Sequence, residues 1–363
     1  MKVGVLGGGQ LGRMLALEGF PLGLDFVFLE PKDDPSVAGL GELVRGEYDD
    51  REALGRLAER VDVITYEFEN VPVESARFLE ELGLEVHPAP PALEMAQDRL
   101  AEKEGFRELG IPVGEFRAVE TRDELDAAVE ELGTPAVLKT RFGGYDGKGQ
   151  VVIGDGGEVD AAWDELGGQR LILEEFVDFQ RELSIVAARD RSGDLHAYPL
   201  VENEHRDGIL RETIAPAPDV SDDLQERATD YVRALMDHLG YVGIVALELF
   251  QEGGRLLANE MAPRVHNSGH WSLDGAVHSQ FENHLRAVCG LPLGDPSPRG
   301  HSTMINLLGR MPEAADLLGI PGAHLHIYDK DPRPLRKLGH VTVTGADRET
   351  VRERADALRR LAE

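Results

Sequence analysis

The first twelve residues limit the possible fold more than any other stretch of the chain. Lys2-Val3-Gly4-Val5-Leu6 is a short apolar run with strand character, Gly7-Gly8-Gly9-Gln10-Leu11-Gly12 follows at once, and a helical pattern starts at Leu11. A strand that enters a helix through a tight glycine turn is the opening unit of a parallel α/β sheet. The alternation continues with strand-like Asp25 to Leu29, a helical pattern from Arg51 and strand-like Val61 to Thr65. Residues 1–97 therefore predict a doubly wound parallel sheet, punctuated at its end by Pro88, Pro90 and Pro91. The glycine spacing fits a dinucleotide-binding turn, with Glu30 near the usual ribose-binding offset. The same N–H groups and helix dipole would also hold the phosphate of a different substrate, or the glycines serve only the turn. Glu67 and Glu69 flank Phe68 just after the third strand, at the carboxyl edge where open α/β sheets bind ligands.

Residues 98–291 change character. Helices are expected at Arg122 to Leu132 and Asp222 to Leu239, but strands now come in pairs around glycine-rich turns, an α+β pattern. One such turn is Arg141 to Gln150, between strand-like Ala136 to Lys139 and Val151 to Ile153. A Walker loop opens a helix and ends in Gly-Lys-Ser or Gly-Lys-Thr, so this hairpin loop is a different device for covering phosphates, with Lys139 and Lys148 to meet their charge. Leu171 to Leu173 runs into Glu174-Glu175-Phe176-Val177, and Glu182 opens the next strand. These acids could read a nucleoside or simply sit exposed at a strand end.

A second hairpin is the most telling for chemistry. Glu248 and Glu260 lie on apolar runs Val245 to Phe250 and Leu256 to Met261, joined by Gln251 to Arg255. With the loop centred on Gly254 the two glutamates would face each other, a like-charge pair that destabilises a sheet. A hard cation such as Mg²⁺, which takes carboxylate oxygens and shares them with phosphates, would remove the penalty. Ala262 to Trp271 then leaves the strand as an irregular run rich in donors, of the kind that gathers binding groups at strand ends.

Residues 292–363 begin with the proline-rich Pro292 to Pro298. They predict a small β-rich unit, with strands at Thr303 to Leu307, Ala323 to Tyr328 and His340 to Thr344 and an arginine-rich final helix. Lys330, Arg333, Arg336 and Lys337 form a positive cluster in a chain of formal net charge −29. That charge disfavours nucleic acid and anionic membranes as partners. The single cysteine, Cys289, and the lack of a signal-like start or a membrane-length apolar run point to a cytoplasmic protein.

Three motifs together, Gly143-Gly144-Tyr145-Asp146-Gly147-Lys148-Gly149-Gln150, His205 ahead of Asp207-Gly208-Ile209-Leu210, and Asn259-Glu260-Met261-Ala262-Pro263-Arg264-Val265-His266-Asn267-Ser268-Gly269-His270-Trp271, resemble the ATP-grasp superfamily. The last motif, with Tyr328-Asp329-Lys330 and Arg336-Lys337-Leu338-Gly339-His340, resembles the 5-(carboxyamino)imidazole ribonucleotide synthase family over essentially the whole chain. The resemblance implies a pre-ATP-grasp domain, a central ATP-grasp domain and a C-terminal domain. It implies ATP held by Arg99, Lys139, Gly144, Tyr145, Asp146, Gly147, Lys148, Gly149, Gln150, Glu174, Glu175, Phe176, Val177, Glu182, His205, Asn259 and Glu260, with Mg²⁺ on Glu248 and Glu260. Aminoimidazole ribonucleotide is assigned to Gln10, Leu11, Glu67 or Glu69, Lys330 and Arg336. Tyr145, Asp146, Arg264, His266, Asn267, Ser268 and Gly269 would surround bicarbonate and the reacting amine, with Asp146 or His266 as candidate proton acceptor. Such enzymes carboxylate the ribonucleotide in purine synthesis and are commonly homodimers. A formate-dependent purine ligase, an NAD-binding oxidoreductase and a regulatory nucleotide-binding module are the competing readings.

Overall fold

The computed structural model describes residues 1–144 and 147–362. Strands β1 (Lys2–Leu6), β2 (Asp25–Leu29), β3 (Glu42–Val44) and β4 (Val63–Tyr66) form a parallel sheet in the order β3-β2-β1-β4. Strands β1, β2 and β4 are near-continuous apolar runs because both faces are covered, and Val3, Val5, Phe28 and Ile64 are almost fully buried. The helix that follows the first glycine turn spans Gln10–Gly19.

Strands β5 (Phe116–Val119), β6 (Ala136–Thr140), β7 (Gln150–Ile153) and β8 (Leu171–Glu175) build a small antiparallel sheet, order β5-β8-β6-β7. Its core is its own: Val119, Leu125, Leu138, Ile153 and Leu173. As expected, β6 and β7 pair as a hairpin, with Lys139 opposite Gln150, which belongs to the strand and not to the loop.

The large antiparallel sheet contains β9 (Arg181–Arg189), β10 (Leu195–Ala197), β11 (Val201–Arg206), β12 (Ile209–Ala215), β13 (Gly243–Glu252), β14 (Arg255–Ala262), β15 (His301–Leu308), β16 (Ala323–Ile327) and β17 (Lys337–Gly345). Its path runs β14-β13-β9-β11-β12-β15-β17-β16, with β10 on β9. The β-rich C-terminal segment thus adds its strands to the edge offered by β12, Glu212 standing opposite Ile305. It also has a local core, in which Leu307, Val341 and Val343 meet Val351, Ala355 and Leu358 of the final helix Arg348–Ala362. A shared cluster of Val3, Leu15 and Phe28 with Ile244, Trp271, Phe281 and Tyr328 locks the N-terminal sheet against the large one.

Candidate functional site

The first glycine turn is already filled by the protein's own carboxylates. Gly7 has a φ of +113°, which favours glycine. Glu67, one residue past β4, accepts from the backbone N–H groups of Gly9 and Gly12, the latter at 2.8 Å. Glu30, one residue past β2, accepts from Gly8 N–H at 2.8 Å and from the Tyr48 hydroxyl at 2.9 Å. A carboxylate is the natural occupant of a helix N-terminus. The dinucleotide reading of this turn is therefore corrected: the N–H groups of Gly8, Gly9 and Gly12 are taken, leaving none of the three for a pyrophosphate, and Glu30, 2% exposed, is a turn-holding group. Glu67 lines the cleft but spends its oxygens on the turn.

The second hairpin turns at Gly253-Gly254, flanked by the pair Glu252 and Arg255, and is not centred on Gly254. That register alone would place Glu248 opposite Asn259, but an irregularity between Leu247 and Leu249 shifts the ladder so that Leu247 pairs with Met261. The bulge sets Glu248 beside Glu260. Glu260 accepts from Arg99 at 2.8 Å. Glu248 lies 3.2 Å from His266 Nε2. Burial, with the charge of Glu260 added, pushes Glu248 up to about 7, while Arg99 overrides burial and holds Glu260 below the usual carboxylate range.

Arg99 is the first residue of the helix Arg99–Glu108, whose cap Asp98 accepts from Leu100 N–H and also from the Arg141 guanidinium at 2.9 Å. One acid thus fixes the helix and the root of the glycine hairpin. Arg99 also reaches the Gly144 carbonyl, 3.5 Å away. On the small sheet, Glu174 Oε2 meets Lys139 at 3.0 Å and Lys103 at 3.2 Å. Burial raises Glu174, but the two ammoniums more than offset it and hold the carboxyl down near 2. Its Oε1 is buried with no hydrogen-bond partner among the described residues. Glu182 binds His205 Nδ1. Burial lowers the His205 ring, and Glu182 with Glu248 more than reverses it.

Arg264 is held by Glu69, and burial of that acid is outweighed by the guanidinium, which keeps it near 2. Asn267 exchanges two amide hydrogen bonds with Asn306 of β15, 3.1 and 2.9 Å, so the C-terminal segment orients it. The ring of His266 is held well below its ordinary value, first by burial and then by Arg264 and Lys337.

These groups face one cleft of about 630 Å³ between the two antiparallel sheets, extending to the first glycine turn. It is lined by Gln10, Leu11, Glu67, Glu69, Arg99, Lys139, Gly144, Gly147 and Gln150. Glu174 to Val177, Glu182, His205, Glu248, Asn259, Glu260, Arg264, His266 and Asn267 also line it. Lys148 and Gly149 belong to the loop beside it. Four other expected residues, Ser268, Gly269, Lys330 and Arg336, are absent from the wall. Ser268 is fully buried, its hydroxyl bonded to Ser184 and His266 and not to the cleft. Arg336 is not among the lining residues and donates to the Asp331 carbonyl at 3.0 Å. Lys330 does not line the cleft wall but reaches Gln10 in the first turn. Tyr145 and Asp146 lie outside the described residues.

Sequence reasoning missed Lys103, Glu102, Tyr328 and the lining role of Lys337. The available signal was scarcity: in a chain of seven lysines, one buried in a helix as Lys103 is needs an anionic partner.

Comparison with known proteins identifies the family. Family models match residues 1–97 (ribonucleotide synthetase preATP-grasp domain), 104–281 (ATP-grasp domain) and 302–354 (phosphoribosylaminoimidazole carboxylase C-terminal domain). The N5-carboxyaminoimidazole ribonucleotide synthase of Pseudomonas aeruginosa is 49% identical over 363 residues, 100% of each chain. The crystal structure of the N5-carboxyaminoimidazole ribonucleotide synthetase of Thermus thermophilus superposes with a TM-score of 0.95 at 52% identity, covering 99% of this chain and 98% of that one. The N5-carboxyaminoimidazole synthase of Aspergillus clavatus, in complex with ADP and 5-aminoimidazole ribonucleotide, gives 0.91 at 32% identity, with coverage of 99% and 98%.

Proposed function

We infer the roles of the cleft residues from one premise: the chain belongs to the N5-carboxyaminoimidazole ribonucleotide synthase family of ATP-grasp ligases. It is an enzyme of purine biosynthesis that uses ATP to carboxylate 5-aminoimidazole ribonucleotide to its N5-carboxyamino product. The observation that carries the residue assignment is the single cleft, which joins the glycine hairpin and Glu174 at one end to Gln10 at the other.

ATP lies against the small sheet, with Lys139, Arg99 and the Gly144–Gln150 loop toward its phosphates and Glu174 to Val177 with Glu182 toward the nucleoside. The unpartnered Glu174 oxygen supports that placement, because a buried acceptor without a donor calls for one from the ligand. Glu248 and Glu260 fit Mg²⁺: two adjacent hard oxygen donors, one pushed toward neutrality by burial and the other's charge, are stabilised by a divalent ion. When bound, the ion would offset charge developing on the transferred phosphoryl group.

Bicarbonate is a poor electrophile. Its oxygen takes the γ-phosphoryl as the bond to ADP breaks, and the resulting carboxyphosphate loses phosphate to give carbon dioxide beside the amine, which adds to it and sheds a proton. Arg264, oriented by Glu69, holds the anionic intermediate with its forked donors. Asn267 fixes the same wall, and closure of the glycine loop excludes water that would hydrolyse the intermediate. The ribonucleotide phosphate lies toward Lys330 and Arg336, with Gln10 and Leu11 beside the base. Tyr145 and Asp146, by resemblance, border the reacting amine.

The enzyme is further assigned to the cytoplasm as a homodimer. The lone buried thiol Cys289 accords with a reducing compartment, and no helix among the described residues is long and apolar enough to cross a membrane. Light scattering tests the dimer: a monomer mass at micromolar concentration removes it. The activity test is ADP release with ATP, Mg²⁺ and bicarbonate, with and without the ribonucleotide. Stimulation by the ribonucleotide is expected. Release that formate supports and bicarbonate does not would point instead to a formate-dependent ligase.

A further inference from the structure

A line of buried hydroxyl and amide groups ends at His266. Thr213 Oγ1 donates to Asn203 Oδ1 at 2.9 Å, and Asn203 Nδ2 donates to Ser184 Oγ at 2.8 Å. Ser184 Oγ donates to Ser268 Oγ at 2.8 Å, and Ser268 Oγ lies 2.9 Å from His266 Nδ1. Ser184, Thr213 and Ser268 are fully buried and Asn203 nearly so. The line crosses three neighbouring strands, β12, β11 and β9, to reach the short 3₁₀ turn Asn267–Gly269.

The direction at the histidine end is set by the backbone. Asn203 offers its amide nitrogen to Ser184, so the Ser184 hydroxyl accepts there and gives its hydrogen to Ser268, which in turn has its own hydrogen left for His266. The backbone N–H of Ser268 also points at His266 Nδ1, 3.4 Å away, as the cap of the 3₁₀ turn. A backbone N–H can only donate. Two donors converging on Nδ1 leave that nitrogen no hydrogen of its own, and a neutral imidazole then carries it on Nε2. Nε2 is the nitrogen 3.2 Å from Glu248 Oε1.

We propose that Thr213, Asn203, Ser184 and Ser268 act as positioning residues that lock His266 in its Nε2–H tautomer. The Nε2–H then faces Glu248, 3.2 Å from its Oε1, as an electrostatic contact with that carboxylate. It does not accept the proton shed by the amine: its lone pair is turned into the protein, and the nitrogen facing the cleft already carries hydrogen. Groups that pack against a metal-binding carboxylate from behind commonly help to orient it. The inference rests on the cleft assignment only for its kinetic consequence. The tautomer itself is a property of the free protein.

The test is ¹⁵N NMR of histidine-labelled full-length protein at neutral pH, with the His266 signals identified by their loss in His266→Asn. The expected pattern is an unprotonated Nδ1 and a protonated Nε2. A protonated Nδ1, a rapidly exchanging mixture or an imidazolium would overturn the proposal in the wild-type protein, whatever substrate it uses. Ser268→Ala is then expected to shift the Nδ1 signal and to lower kcat by about ten- to a hundredfold, the usual cost of losing an orienting partner. KM for ATP should move less than about twofold, and Ser268→Thr, which keeps the hydroxyl, should recover most of kcat. Equal kcat loss in the alanine and threonine variants, or wild-type kcat in Ser268→Ala, would also overturn it.

Discussion

Lys330, in the C-terminal segment, donates its ammonium to the side-chain oxygen of Gln10 in the first glycine turn, 320 residues earlier. The contact ties the C-terminal segment to Gln10, a residue of the cleft wall. It also gives the basic cluster a definite place, since Lys330 feels Glu67, Arg336, Lys32 and Lys337 together.

Burial pushes the Lys330 ammonium down to about 8, against the opposing pull of Glu67. An ammonium that binds phosphate does so only while protonated, so the KM for the ribonucleotide should climb as pH rises above about 8. The KM for ATP should climb less. In Lys330→Ala that difference between substrates should vanish, and the ribonucleotide KM should be raised about tenfold at pH 7, the order expected for one lost charged hydrogen bond. Arg336→Ala, whose guanidinium is engaged by the Asp331 carbonyl, should raise it less. Steady-state kinetics from pH 7 to 9 decide this, and an equal effect of Lys330→Ala on both substrates would make the contact purely structural.

Glu260→Gln removes one of the two adjacent carboxylates and leaves Arg99 without its acid. Turnover should fall by orders of magnitude while circular dichroism and the melting profile show a folded protein. Titration with Mg²⁺ should show weaker saturation by the metal. Unaltered metal dependence would take Glu260 out of the ion site.

Glu67→Gln should destabilise the N-terminal sheet. One amide oxygen cannot take the place of both carboxylate oxygens at Gly9 and Gly12, and its NH₂ would face a donor. The cost should be about 1–2 kcal/mol, the scale of a lost helix cap. Urea unfolding measures it, and an unchanged midpoint would show that the two amide bonds contribute nothing.

His284 predicts acid sensitivity. It is fully buried between Thr65, 2.8 Å from its Nε2, and the Ile244 N–H, which donates to Nδ1 at 3.1 Å. Burial pushes its ring from 6.5 down to about 3. A depressed folded value means the unfolded chain binds the proton first, so the stability is intact above pH 6.5 and is lost as pH falls toward 3. The slope from this group approaches about 1.4 kcal/mol per pH unit. Wild type and His284→Gln compared by denaturant midpoint at pH 7, 6 and 5 should differ in that slope. Parallel curves would mean that other groups carry the acid response.

Much of this architecture was legible in the chain. Strands Lys2–Leu6 and Asp25–Leu29, the hairpin of Ala136–Thr140 with Gln150–Ile153 and the Glu248–Glu260 hairpin follow from side-chain period and glycine placement, both of which act over a few residues. The glycine motif at Gly7–Gly12 was legible as a turn but misleading as a dinucleotide site, because the groups that fill it, Glu30 and Glu67, come from two other strands. The Glu248 and Glu260 pairing was reached with the wrong loop centre. A bulge, invisible to an alternating pattern, restored the neighbourhood that a two-residue turn would have broken.

The sequence by itself determined the strand and helix units, the glycine turns and which residue types were available for anion and metal chemistry. Only the tertiary structure decided the partners: Arg99 with Glu260 across 161 residues, Glu69 with Arg264 across 195, Ser184 with Ser268 across 84. It also decided that Ser268 faces inward and Lys337 the cleft. Propensity and periodicity are local properties of the backbone. Which charges meet is settled by how buried apolar faces pack, and in this chain that packing brings three sheets around one cleft.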